Sequence, residues 1–163
     1  MTAIQGQDVL HLTKKEESKY LTFALSNEEY GIGIMKVREI IGMLPITQVP
    51  RMPAFLKGVI NLRGKVIPVI DLRSKFGLGA RDYTDRNCII VVETAGGGGG
   101  LQMGIVVDSV SEVLNIRQAD LAQTPSFGCK VNTDYILGMA KIGEGVKILL
   151  DIDKVLTDEA VAM

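Results

Sequence analysis

Gly31-Ile-Gly-Ile-Met-Lys-Val37-Arg-Glu39-Ile-Ile41 returns later in the same chain as Gly104-Ile-Val-Val-Asp-Ser-Val110-Ser-Glu112-Val-Leu114. Glycine, isoleucine, valine and glutamate recur at a constant offset of 73 (104 − 31). Further on, Gly58 and Asp71 are matched by Gly138 and Asp151 at an offset of 80 (138 − 58). Between those marks Val66-Ile-Pro-Val-Ile70 sits over Val146-Lys-Ile-Leu-Leu150, and Leu72 over Ile152. Each half reads as strand, tight turn, apolar strand, aspartate, short helix. Aspartate suits a helix start because its side chain accepts from the first unpaired backbone N–H groups. Gly77 suits the end of the first such helix, where a left-handed conformation is needed. Repetition at a fixed spacing is the signature of a duplicated structural unit.

Working outward, short strand-like runs bounded by turn residues cover Tyr20–Leu25, Tyr30–Ile34, Leu44–Val49, Gly58–Leu62 and Lys65–Ile70. The second half offers Cys88–Glu93, Leu101–Val107, Val110–Ile116, Ile136–Lys141 and Val146–Leu150. This rhythm predicts closed all-β structure and not a parallel α/β sheet. Short helices are expected at about Lys36–Ile41, Leu72–Phe76 and Ile152–Leu156. The expected architecture is two related barrels of about five strands each, packed together, the first over roughly 19–80 and the second over roughly 86–156, with strand exchange between them possible. Residues 1–18, polar and without periodicity, and 157–163 read as tails. Barrels this small depend on a neighbour for burial, and the seam between them is a natural docking place.

Composition narrows the function. Eighteen basic against 19 acidic residues give a net charge of −1, without the basic excess that displaces counterions from phosphate. A nucleic-acid partner is therefore not expected. No run approaches the ~20 apolar residues of a membrane span, and the first residues lack the features of a secretory signal. Two cysteines, Cys88 and Cys129, form no ligand pair or disulfide framework, which fits reduced thiols in the cytoplasm.

Reagents for catalysis are missing. His11 is the one histidine, in the presumed tail, and neither cysteine has a histidine to activate it. Cys88 opens the apolar run Cys-Ile-Ile-Val-Val and reads as a small core residue. The glycines from 96 to 100 lack the Lys-Ser/Thr pair of a phosphate loop and fit a hairpin tip. Asp151-Ile-Asp153 offers too few oxygen ligands for a metal and reads as a helix cap. No enzyme activity, cofactor or metal is expected.

Binding features remain. Asn61-Leu-Arg63-Gly64 separates two apolar strands and places Arg63 at a hairpin tip, with Gly64 free to adopt positive φ. Arg63 is there either as a solvated turn residue or as a fork of donors for a partner carboxylate. Val37, Glu39 and Ile40, with Val110, Glu112 and Val113 as counterparts, either close the barrel ends or line a groove that takes a helix through spaced anchors. Phe127, in a loop-like stretch after Pro125, is either an interface anchor or core filling.

Phe55-Leu-Lys-Gly58-Val-Ile-Asn61-Leu-Arg63-Gly64-Lys-Val-Ile-Pro68-Val-Ile-Asp71-Leu-Arg73-Ser-Lys-Phe76 resembles the signature of the CheW chemotaxis coupling family. Glu29-Tyr30-Gly31-Ile32, Val37-Arg-Glu39-Ile40 and the Gly104–Val113 run support it, and the similarity extends from about Lys19 to Leu156. The resemblance implies two SH3-like β-barrels and an adaptor that links methyl-accepting chemoreceptor tips to the regulatory domain of the kinase CheA, with other CheW copies as possible neighbours in arrays. It implies a receptor groove of Val37, Glu39, Ile40, Val107, Val110 and Val113, a coupling role for Arg63, and a kinase-contact edge at Phe127. Ala122 stands where the family often has an arginine.

Overall fold

The structure, a computed structural model, describes residues 17–79, 81–94, 101–122 and 133–156. The expectations for His11, the glycines from 96 to 100, Phe127, Cys129 and most of both tails fall outside these residues.

The strands are β1 (Glu17–Leu25), β2 (Glu28–Gly33), β3 (Val37–Gly42), β4 (Leu56–Leu62), β5 (Lys65–Asp71), β6 (Cys88–Thr94), β7 (Leu101–Val107), β8 (Ser109–Arg117), β9 (Leu121–Ala122), β10 (Ile136–Ile142) and β11 (Gly145–Leu150). Two short helices follow β5 and β11, α1 (Leu72–Lys75) and α2 (Ile152–Leu156). One sheet runs β3-β6-β7-β5-β4 and the other β8-β1-β2-β11-β10-β9. In each, the chain beyond an edge strand curls round to the opposite edge. Thr47, after β3, bridges to Val59 in β4, and β9, after β8, pairs with β10. The protein is therefore all-β, with two SH3-like barrels, and strands β3 and β9 are pieces that the sequence did not announce.

The repeated sequence marks coincide with repeated structure. At an offset of 73, β2 falls on β7; at 80, β4 and β5 fall on β10 and β11. Each barrel takes strands from both halves, since β1 and β2 lie with β8–β11 while β6 and β7 lie with β3–β5. Parallel pairing joins the halves twice, β11 with β2 and β5 with β7. Gly31 and Gly104 sit in those parallel pairs. A Cβ on Gly31 would lie 3.0 Å from a Leu149 methyl, and one on Gly104 2.8 Å from an Ile89 methyl. Glycine is needed there because the neighbouring side chains fill the space.

Burial explains why several strands do not alternate. Ile89 and Val91 of β6 face one barrel interior with Ile60, Ile67, Val69 and Val106. Ile90 and Val92 face the other way, into a larger cluster shared by both barrels, with Phe23, Ile32, Ile70, Met103, Ile105 and Leu150. A strand buried on both faces reads as a continuous aliphatic run. A row of rings, Phe23, Tyr30, Phe76 and Tyr135, crosses this shared cluster at centroid spacings of 6.0, 6.0 and 6.1 Å. Among the described residues, the other barrel interior is built on Ile116, Ala140 and Leu149.

Both helix starts behave as expected. Asp71 accepts from the backbone N–H of Arg73 (2.9 Å) and Ser74 (3.4 Å), and Asp151 accepts from Lys154 N–H (3.3 Å). Two expectations are corrected. Lys36–Ile41 is no helix: a single 3-10 turn, Ile34–Lys36, leads into strand β3. Leu44–Val49 is no strand, because Pro45 and Pro50 deprive the segment of ladder donors, and Thr47 alone makes a bridge.

Candidate functional site

The surface around Val37 and Ile40 owes its shape to one extra residue. Val37 pairs with Val92, whereas Glu39 pairs with Val91 and Ile40 with Ile90, so the register slips at Arg38. Directly paired residues point to the same side of a sheet. Val37 and Ile40 therefore both share the face of Val92 and Ile90, towards the shared cluster, although three positions separate them. Val37 packs on that cluster, while Ile40 is 43% exposed. Glu39 and Ile41 take the other face.

The second half repeats the device. Val110 pairs with Phe23 and Val113 with Leu21, so two residues of β8 stand opposite Thr22. Again the bulge turns both valines to the face of the shared cluster; Val110 packs on it and Val113 is 49% exposed. Thr22, itself buried, fills the gap in the ladder. Its hydroxyl donates to the Glu112 carbonyl (2.8 Å) and accepts from the Glu112 N–H (3.1 Å). A buried hydroxyl satisfying both groups fixes the bulge, and sequence reading passed over it because threonine in a strand is unremarkable in type.

Arg63 stands at the tip joining β4 and β5. It holds φ +54 and Gly64 φ +86, the doubly positive pattern of a type I′ hairpin, and Gly64 N–H donates to Asn61 Oδ1 (2.8 Å). Neither sequence alternative for Arg63 is complete. Its side chain is 70% exposed, and the guanidinium donates through Nη2 to both carboxylate oxygens of Glu39 in β3. That hydrogen bond holds the Glu39 carboxyl below the ordinary carboxylate range. A second pair lies nearby: Arg38 donates to Glu93 at 2.5 Å and lowers its carboxyl likewise. Strand β3 thus carries charge of both signs, Arg38 and Glu39, beside its aliphatic residues.

A further cluster escaped the sequence reading. Asp108, at the passage from β7 to β8, accepts from Ser26 N–H (2.7 Å), Arg73 Nη1 (2.9 Å) and Arg81 Nη2 (3.1 Å). Its backbone N–H donates to the Ala24 carbonyl (3.0 Å). Nothing local in the sequence links these residues, which come from three separate segments. Nearby, Tyr83 donates to Asp71 at 2.8 Å, and burial, followed by that carboxylate, pushes its phenol well above the ordinary value.

Val107 is corrected on exposure. It is fully buried, so it supports the β8 face from beneath and offers no surface to a partner. Cys88 is half-buried against the shared cluster, its thiol 3.4 Å from the Arg86 carbonyl. Among the described residues no group of three or more His, Cys, Asp or Glu side chains gathers as metal ligands. No helix among them is long and apolar enough to cross a membrane.

Twin interlocked barrels with matched, bulged edge strands define a two-barrel all-β class. Within it, residues 19–160 match the model of the CheW-like domain. The chain is 41% identical over 145 residues to the chemotaxis protein CheW of Klebsiella aerogenes, covering 89% of this chain and 85% of that one. It is 33% identical over 149 residues to the CheW of Rhizobium meliloti, covering 91% and 93%. The crystal structure of the scaffolding protein TtCheW from Thermoanaerobacter tengcongensis superposes with a TM-score of 0.76 at 35% identity, covering 85% of this chain and 87% of that one. The chain belongs to the CheW-like domain family of chemotaxis scaffold proteins.

Proposed function

We propose that this protein is a non-enzymatic adaptor that couples the cytoplasmic hairpin tips of methyl-accepting chemoreceptors to the regulatory domain of the histidine kinase CheA. It works in the cytoplasm, held at receptor arrays by its partners, where further CheW copies can join it. The observation that carries this reading is the pair of bulged edge strands. Each presents two branched aliphatics on the face of the shared cluster, a spacing suited to anchoring residues on a helix. Val37, Ile40, Val110 and Val113 would touch the receptor helices, with Glu39 beside them and Val107 behind. Arg63, already paired with Glu39, would pass the state of this surface to the kinase, and Phe127 would contribute to the kinase edge.

The test is co-purification with CheA and a soluble receptor fragment, with kinase autophosphorylation as readout. Val37→Asp should lose the receptor fragment, because an uncompensated charge would face apolar surface, yet stay folded since the site is half-exposed. Undiminished receptor recovery by the folded variant would remove Val37 from the groove.

A further inference from the structure

Because each barrel is completed by strands of the other half, backbone pairing alone does not tell a first half which partner to choose. The parallel joins β2–β11 and β7–β5 have the same form: Gly31 lies opposite Leu149 and Gly104 opposite Val69, and a Cβ on each would meet that partner's methyl at 3.0 and 3.4 Å. A first half could pair with a first half of another copy, and a second half with a second half. The equivalence is broken where each passage between sheets is tied to the helix of the opposite half.

Arg73, in α1, reaches Asp108 at the β7–β8 passage, the side chains being 12% and 9% exposed. At the related place Asp153, in α2, which aligns with Arg73 at the offset of 80, reaches Lys36 at the β2–β3 passage, 2.7 Å away. Met35 aligns with Asp108 at the offset of 73, and Lys36 is its neighbour. The two clasps are the same contact with the charges reversed. We propose that this reversal sorts the halves, admitting first with second and rejecting like with like, so that two copies of the chain do not assemble first half on first half and second half on second half.

The chemistry of the rejected pairings is unequal. Two second halves would set Asp153 against Asp108 in a site that excludes most water. They would also lack all three donors to Asp108, since Ser26, Arg73 and Arg81 precede β6. Two carboxylates without a cation in such a place are strongly unfavourable. Two first halves would set Arg73 against Lys36 with no carboxylate between them, a milder repulsion because Lys36 is half-exposed. Specificity by built-in repulsion needs only that wrong pairings cost more than right ones.

The test makes the polarities equal in the full-length chain. In Lys36→Asp/Asp153→Arg both clasps read acidic passage and basic helix, so each remains satisfied within one chain while like-with-like pairing gains a cation opposite each passage carboxylate and loses its charge repulsion. Refolded from denaturant at high concentration, this variant should give dimers and larger species about tenfold above the parent chain, measured by size and mass in solution. Ile105→Val, a core change that leaves both clasps intact, should not, which separates lost sorting from lost stability. Should the double variant fail to fold, Asp108→Asn carries the same test, since it removes the carboxylate that rejects Asp153 and should raise the dimer fraction above the Ile105→Val control. An oligomer fraction equal to the parent's in the folded charge-equalised variant, or equal to the control's in Asp108→Asn, overturns the proposal.

Discussion

Glycine at position 58 and glycine at position 138 occupy the same place in the repeat, yet only one of them is forced. Gly58 holds φ +144, and a Cβ there would lie 2.0 Å from the Thr47 carbonyl oxygen, inside the bridge that closes the first barrel. At Gly138 the nearest atom would be a Leu121 methyl carbon 3.6 Å away, an ordinary contact. Gly58→Ala should therefore cost about 3 kcal/mol or more, and Gly138→Ala less than about 1 kcal/mol, on denaturant unfolding. At the same scale, the lowered carboxyls of Glu39 and Glu93 tie stability to pH. A carboxyl whose folded pKa lies below its unfolded one stabilises above the unfolded pKa, and the contribution disappears as pH falls through the folded one. The denaturation midpoints of the parent and of Glu93→Gln should differ near neutrality and converge in acid. Arg63→Gly should leave the midpoint little changed, because relief of a left-handed non-glycine residue offsets the loss of an exposed ion pair. If Arg63 is the coupling residue, kinase activation should fall while receptor binding persists. A variant that unfolds instead would make Arg63 structural.

Elements show where sequence reading succeeded and where it was deceived. Leu101–Val107 was legible to the residue, because a glycine-bounded aliphatic run has few other uses. Val37, Ile40 and Ile41 have the i, i+3, i+4 spacing of a helix face, and that spacing misled. A strand with one inserted residue produces the same pattern, since the bulge converts a period of two into a step of three. Val110, Val113 and Leu114 carry the identical spacing in β8, where the longer aliphatic context reads correctly as a strand. The matched positions of Val37 and Val110 were legible through the repeat, but Thr22 and Asp108 were not, because their roles depend on partners far along the chain. The Thr22 hydroxyl makes the second bulge dependent on one side chain. Thr22→Val keeps the shape and leaves Glu112 N–H without its acceptor, which should cost about 1–3 kcal/mol and loosen β8. Faster amide exchange along Val110–Val113 in the variant than in the parent chain, with β6 unchanged, would show it.

At the scale of the whole molecule, two barrels do not mean two independent units. Ile67 lies in one barrel interior and Ile116 in the other, but both sheets draw strands from both halves. Ile67→Ala and Ile116→Ala should each lower stability by about 2–5 kcal/mol, and each should still show one unfolding transition with the calorimetric and van't Hoff enthalpies equal. Two resolved transitions would mean that the barrels melt separately. The twofold plan was visible in sequence, whereas its interlocking was legible only as a possible strand exchange, since strand spacing carries no information about which sheet a strand joins.

Glu29 in β2 meets Lys147 in β11 across 118 residues. On a ribosome that adds roughly 5–20 residues per second, the hairpin of β1 and β2 emerges some 6–24 s before the strand that completes its sheet. Throughout that interval a nascent chain displays an unmatched aliphatic edge. Its yield in the cell should accordingly depend on how well that edge is shielded during synthesis.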